Sequence, residues 1–349
     1  DKYVLLTVTN LLMRSKSTPL LVNTYALLTA LVHQQPTHQN AVCTIDLLET
    51  MALHLSTYSM NLPLVSKIAM LLEVLIFQNH ENCARIVQHH NGRLLELLAQ
   101  YYTQSSANAN VRQEQQDQFS SFLTHVLNIY VNITENEDNT ILEEIVAPDS
   151  TCLKNFMYIM DKMGENYLLL TESFISLISC LLKASIRKES KDEEAPEISN
   201  SVEVVVHSSF QSFNGIRFCN MMKVIHRHGV LAYLVHVFHT HAVHSTHLFA
   251  SAVTCVNIIL SDPMLLSLTD DAREVLSDTE DSSVFLIDVR LILDLANCYI
   301  DLLSREVYVY FDHYSVFVEM YHTFDQLLCL YQVYVEKKYP KAPHETYVY

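Results

Sequence analysis

The sequence predicts an all-α chain arranged as an α-solenoid, and three observations predict it. Glycine is nearly absent, with 4 in 349 residues against roughly 7% in an average protein. Sheet proteins and phosphate-binding enzymes need glycine at tight turns and close backbone approaches, so a chain that avoids it favours helices joined by short polar loops. Half of the residues are hydrophobic, and they fall in helical runs separated by polar breaks. Those runs recur along a chain longer than one globular core usually supports. The whole of 1–349 therefore reads as a single elongated helical-repeat domain.

The elements follow in order. Leu20–His33 is periodic and apolar, breaks over Gln34–Asn40, and gives way to a helix from Ala41 to Leu55. Pro63, at a helix start where its missing N–H costs nothing, opens Leu64–Gln78; the break Asn79–Asn82 precedes a short helix Cys83–His89. Gly92 reads as a helix stop, followed by Arg93–Tyr102. Phe119–Ile133 ends at Thr134–Asn139, with Thr140–Val146 and Thr151–Met163 behind it, and Tyr167–Ala184 repeats the design. Val224–Thr240 and His244–Leu260 carry it on, and Ser283–Leu303 and Tyr308–Lys337 finish the chain.

The apolar anchors Leu31, Leu75, Val131 and Leu181 are 44, 56 and 50 residues apart. That is at or a little above the period of armadillo and HEAT-type repeats, roughly 40–47 residues. A helical hairpin cannot bury its apolar face alone, and stacking neighbours makes one continuous core. The fold class is thus an α-solenoid of degenerate armadillo/HEAT-like repeats, with a bundle of long helices as the alternative. Two stretches interrupt it. Gln104–Gln118 is rich in Gln, Asn and Ser and reads as an exposed polar loop. An acidic insertion at about 187–210 is too poor in apolar residues to offset its ordering entropy and reads as a mobile segment. Within it Val202–His207 alternates briefly, as a short strand would.

The charge balance is acidic, 22 Lys+Arg against 39 Asp+Glu. Binding to phosphate backbones is driven by basic side chains releasing counterions, so direct nucleic-acid contact and anionic membrane surfaces are disfavoured. Eight cysteines lie 28 to 69 residues apart, without CxxC or a close Cys/His pair. That spacing suggests neither a zinc module nor a small disulfide framework. Most sit in apolar helical runs as small hydrophobes, which fits a reducing, intracellular setting. No signal peptide and no uninterrupted 18-residue apolar run is present. The first residue is Asp1, which reads as the start of an excised domain.

Histidine supplies the one tempting chemical cluster: His226, His228, His236, His239, His241, His244 and His247. His236 and His239 are three apart, on one face of a helix, and are the metal-ligand candidates. The run offers no nearby Cys or carboxylate to complete a site, and it straddles a helix–loop–helix junction where such side chains face water. The expectation is no metal and no cofactor, with a metal-dependent enzyme or sensor as the competing reading. No GxSxG, phosphate loop, GxGxxG or HExxH occurs; no catalytic residue and no small-molecule substrate are expected. The acidic pairs Glu143–Glu144 and Asp270–Asp271, and Asp278–Ser283, read as helix-end signals. The C-terminal aromatic stripe from Tyr299 to Tyr334 reads as packing of long helices rather than as interaction hot spots.

The order of segments resembles the C-terminal helical-repeat domain of wings apart-like (Wapl) proteins. The resemblance is carried by Leu72–Asn82, by Val126–Asp138 with its Asn-Ile-Thr turn, by Ile175–Ser185 before an acidic insertion, and by Ser251–Ser261 before the last helices. It implies binding to cohesin subunits on chromatin in the nucleus, a role in the cell cycle and no intrinsic activity. It assigns no functional residue here. The expected function is a non-enzymatic protein-binding scaffold or regulator of that kind. The alternative is a cytoplasmic adaptor solenoid for trafficking, the cytoskeleton or RNA processing, binding helical or extended peptides in its groove.

Overall fold

A computed structural model describes residues 2–106, 113–186, 216–240, 245–260, 294–298, 300, 318 and 321–328. Every described regular element is a helix, with no strand among the described residues. The acidic insertion, the Val202–His207 alternation, Asp270–Asp271, Asp278–Ser283 and most of the C-terminal aromatic stripe lie outside them. The helices are α1 Lys2–Arg14, α2 Thr18–Val32, α3 Pro36–Val42, α4 Ile45–Thr57, α5 Leu62–Ile76, α6 His80–Gln88, α7 Arg93–Ser106 and α8 Gln113–Glu135. Next come α9 Thr140–Val146, α10 Cys152–Met163, α11 Leu168–Ile186, α12 Ile216–Arg227, α13 Val230–Thr240 and α14 Thr246–Leu260.

The chain divides into two compact units. In the first, Asp1–Glu144 with Lys154–Cys180, the contacts follow a period of three helices. α1 packs on α4 and α4 on α7; α2 packs on α5 and α5 on α8; α3 packs on α6. Packing partners thus recur at every third helix, where the sequence suggests a helical pair. The discrepancy lies in α3, whose residues read as a polar break. Pro36 at its first position presets φ for a helix. Gln39, 2% exposed, donates its side-chain amide to Val74 O at 2.9 Å. A helix held by polar bonds leaves no apolar periodicity to read.

The same corner links the second and third helix of each triplet. One left-handed residue makes the bend: Gln34 (φ 54°), Gln78 (φ 52°) and Glu137 (φ 65°). In the first two corners the amide just before it donates four residues back, His33 to Thr29 O and Phe77 to Glu73 O, both at 3.0 Å. The third is a Schellman-type cap, Glu137 N to Thr134 O and Asp138 N to Ile133 O. A side chain in the first turn of the third helix then bonds back to the second: His38 Nδ1 lies 3.2 Å from Leu31 O, and Asn82 Nδ2 donates to Leu75 O at 3.0 Å. Leu31 and Leu75 are therefore equivalent positions. The third corner aligns Thr134 with them, three residues beyond Val131.

A left-handed conformation costs a non-glycine residue roughly 1–2 kcal/mol, partly offset for glycine by its greater chain entropy. Gln78→Gly is expected to raise stability by a few tenths to about 1 kcal/mol, read as a higher urea midpoint. Gln78→Val, β-branched at positive φ, should lower it.

The core of this unit is continuous. α5 buries Leu64, Val65, Ile68, Ala69, Leu71, Leu72, Leu75 and Ile76, because it has neighbours on two sides. Farther along, Phe156 of α10 stacks on Tyr102 of α7 and meets Tyr130 of α8 and Phe174 of α11. The stretch 104–118 is not a loop throughout. α7 runs to Ser106 and α8 begins at Gln113, as the good helix propensity of Gln and Glu allows. Asp117 accepts a hydrogen bond from Tyr167 Oη at 2.6 Å. Asn132-Ile133-Thr134 lies within α8, with Thr134 buried and its hydroxyl donating to Tyr130 O. By length and composition α11 is apolar enough to cross a membrane. Its Phe174, Ile175, Leu177 and Ile178 are buried within the protein, as a core helix requires.

In the second unit, Ile145–Leu153 with Leu181–Tyr349, α12 packs on α13 and α13 on α14. The sequence reads Val224–Thr240 as one helix; Gly229 (φ 68°) divides it into α12 and α13. Phe238 and Phe249 meet edge to face at 5.8 Å across α13 and α14, and Thr323 donates its hydroxyl to Asn257 Oδ1.

Candidate functional site

The two histidines singled out from the sequence are on one face of α13, and both are exposed. Tyr233 packs beside His236 at 6.5 Å. His239 Nε2 lies 2.9 Å from Cys298 Sγ, a buried thiol 59 positions away. The run therefore does acquire a sulfur neighbour, which its local sequence does not contain. His226 is mostly withdrawn from solvent rather than facing it, and burial holds its pKa below the ordinary histidine value. His241 and His244 lie outside the described residues.

A second group is invisible in the sequence. Glu49 on α4 meets His89 and His90 at the α6–α7 corner, with one ligand atom from each lying within 4.8 Å of the others. Among the described residues it is the one group of three or more His, Cys, Asp or Glu side chains so arranged. His90 Nε2 is 3.8 Å from Glu49 Oε1, and both side chains are mostly exposed. His89 is 8% exposed, and neither of its ring nitrogens has a hydrogen-bond partner. Its ring packs edge to face on His90 at 4.4 Å. Three consecutive positive φ angles, 46° at His90, 54° at Asn91 and 80° at Gly92, fold the corner. Burial, then the neighbouring His90, lowers the His89 pKa, while Glu49 acts the other way.

Other buried and part-buried polar groups knit helices together. Glu73 on α5 receives Asn128 Nδ2 at 2.7 Å and lies 2.5 Å from His125 Nδ1, tying α5 to α8. Asn79 donates to Asn40 Oδ1 and Gln39 Oε1, at 2.7 and 3.3 Å, while its own Oδ1 caps α6. Cys43 and Cys83 are buried, and burial raises each thiol to about 11, so they are packing groups rather than nucleophiles.

Tyr25 on α2 reaches His54 Nδ1 of α4 at 2.9 Å inside the core. Burial lowers the His54 pKa and raises that of Tyr25, so a neutral pair is favoured. An unfolded histidine takes a proton near pH 6.5, and the folded one only at lower pH. Between the two values the unfolded state binds the extra proton, so stability falls as pH drops below about 6.5. His226 contributes in the same direction. Tyr25→Phe leaves Nδ1 unsatisfied and is expected to cost about 1–3 kcal/mol at pH 7.5, read from the urea midpoint.

On the outside, α1 and α2 present large apolar side chains to solvent: Tyr3 is 85% exposed, Leu6 61% and Leu27 50%. Compared with models of known protein families and with curated proteins, the chain matches none.

Proposed function

We propose that this chain is a non-enzymatic protein-binding scaffold, an α-solenoid of degenerate armadillo/HEAT-like triplets. The observation that carries it is the threefold register of the first unit, in which α2, α5 and α8 stack in turn while α1, α4 and α7 do the same. Each triplet uses its neighbours to complete its core, which is the defining economy of repeat proteins. What such an array offers to other molecules is side-chain surface, and here that surface includes exposed Tyr3, Leu6 and Leu27. Exposed apolar side chains of that size are ready material for protein contact where they adjoin one another.

The resemblance to wings apart-like proteins makes cohesin subunits in the nucleus the first partners to test. Affinity purification of the tagged full-length protein, followed by mass spectrometry, is the experiment. Enrichment of cohesin subunits supports the chromatin reading. Enrichment of trafficking, cytoskeletal or RNA-processing proteins without them favours the adaptor reading. Recovery of no specific protein overturns the scaffold itself.

A further inference from the structure

We propose that Glu49, His89 and His90 form a binding site for one divalent transition-metal ion of the zinc class. Two imidazoles and a carboxylate are a donor set that zinc accepts, at about 2.0–2.2 Å from each ligand atom. Tetrahedral bonds of that length place ligand atoms about 3.4 Å apart. Here they lie within 4.8 Å of one another, with His90 Nε2 and Glu49 Oε1 already at 3.8 Å. Closing the remainder takes small rotations of two exposed side chains.

The second observation is the state of His89. Buried polar groups are nearly always hydrogen-bonded, and one that is not points to an ion or water that completes it. Both ring nitrogens of this buried imidazole have no partner. The exposed contact between His90 and Glu49 accounts for those two residues and leaves His89 unexplained. The nearest basic neighbour in sequence does not compete, since Arg93 Nη1 is bonded to Glu96 at 2.7 Å. The corner holds His90 and Asn91 at positive φ, a conformation costly for residues other than glycine, while Gly92 adopts it freely.

An ion held there would pin α4, the first helix of the second triplet, to the corner that opens the third. Three protein ligands leave the fourth zinc position open to water or to a side chain of a bound partner. The site stands apart from the scaffold reading, because ion binding is measured on the isolated chain with no partner present.

The test is titration of the purified, chelator-stripped full chain with zinc by calorimetry, and with cobalt(II) by visible absorption. Glu49→Gln/His90→Ala serves as the site variant, with its helicity checked by circular dichroism; both side chains are exposed, so the fold should tolerate it. His236→Ala/His239→Ala is the control. The expected result is one ion per chain and ligand-field bands from cobalt. Binding should weaken in the site variant by at least the roughly 10–100-fold that losing even an outer partner of a ligand costs, and stay unchanged in the control. Absence of stoichiometric binding, equal binding by the site variant, or loss of binding in the control alone would each overturn the proposal.

Discussion

Phe156→Ala is expected to lower the stability of the first unit by about 3–5 kcal/mol, the usual cost of removing a fully buried aromatic ring. Phe156 is 1% exposed and stacks on Tyr102 with ring centres 4.8 Å apart and planes at 27°. Tyr130 approaches edge to face at 6.2 Å and Phe174 tilts against it at 6.3 Å. Aromatic pairs of this kind contribute about 0.5–1.5 kcal/mol beyond the area they bury. Four helices, α7, α8, α10 and α11, each supply one ring, so none can move into the vacancy without abandoning another contact. The measurement is the urea midpoint at unchanged slope. Tyr158, two positions along the same helix but 49% exposed, is the comparison; Tyr158→Ala should stay within about 0.5 kcal/mol.

Leu72→Ala is expected to cost about 2–5 kcal/mol, towards the upper end. Leu72 is fully buried on α5, which has α2 on one side and α8 on the other. A cavity in such a middle helix is closed off from water and cannot collapse without drawing two neighbours inward, and residual cavity volume is what raises the cost. Leu53 on α4, 62% exposed, provides the contrast. Leu53→Ala should be nearly neutral, and a loss at Leu72 as small as that of Leu53 would mean that α5 is not the middle of a stack.

Much of the helical fold is legible in the residues, and the reason differs from element to element. α2 and α5 are read within two residues of their ends, because apolar periodicity and Pro63 mark them. The equivalence of Leu31 and Leu75 follows from spacing alone, and the two corner bonds repeat it. Three kinds of feature escape. α1 buries Leu5, Val8 and Leu12 but carries Tyr3, Val4, Leu6, Leu11 and Met13 outside that stripe, and these exposed apolar residues blur its periodicity. α3 is polar, and its helix depends on Gln39 and His38 finding bonds on neighbouring helices. The corners are made by Gln34, Gln78 and Glu137 rather than by glycine, so residue type gives no sign of a left-handed bend.

The candidate site was harder still. His89 and His90 stand 40 and 41 positions from Glu49, and only the packing of α4 near the α6–α7 corner joins them. The adjacent histidines before Gly92 were the available signal. The seven-histidine run is conspicuous by number, and within it the structure joins His239 to a distant cysteine that no local spacing announces.

If helices three apart occupy equivalent places in the stack, removing a whole triplet should leave its neighbours able to pack. Deletion of residues 45–92, joining Thr44 to Arg93, removes one whole triplet; deletion of 45–78, joining Thr44 to Asn79, removes only α4 and α5. Urea unfolding followed by circular dichroism compares them. The triplet deletion is expected to keep its helicity per residue and a cooperative transition at a lower midpoint, while the two-helix deletion loses both. Equal behaviour of the two deletions, or collapse of the triplet deletion alone, would contradict that equivalence.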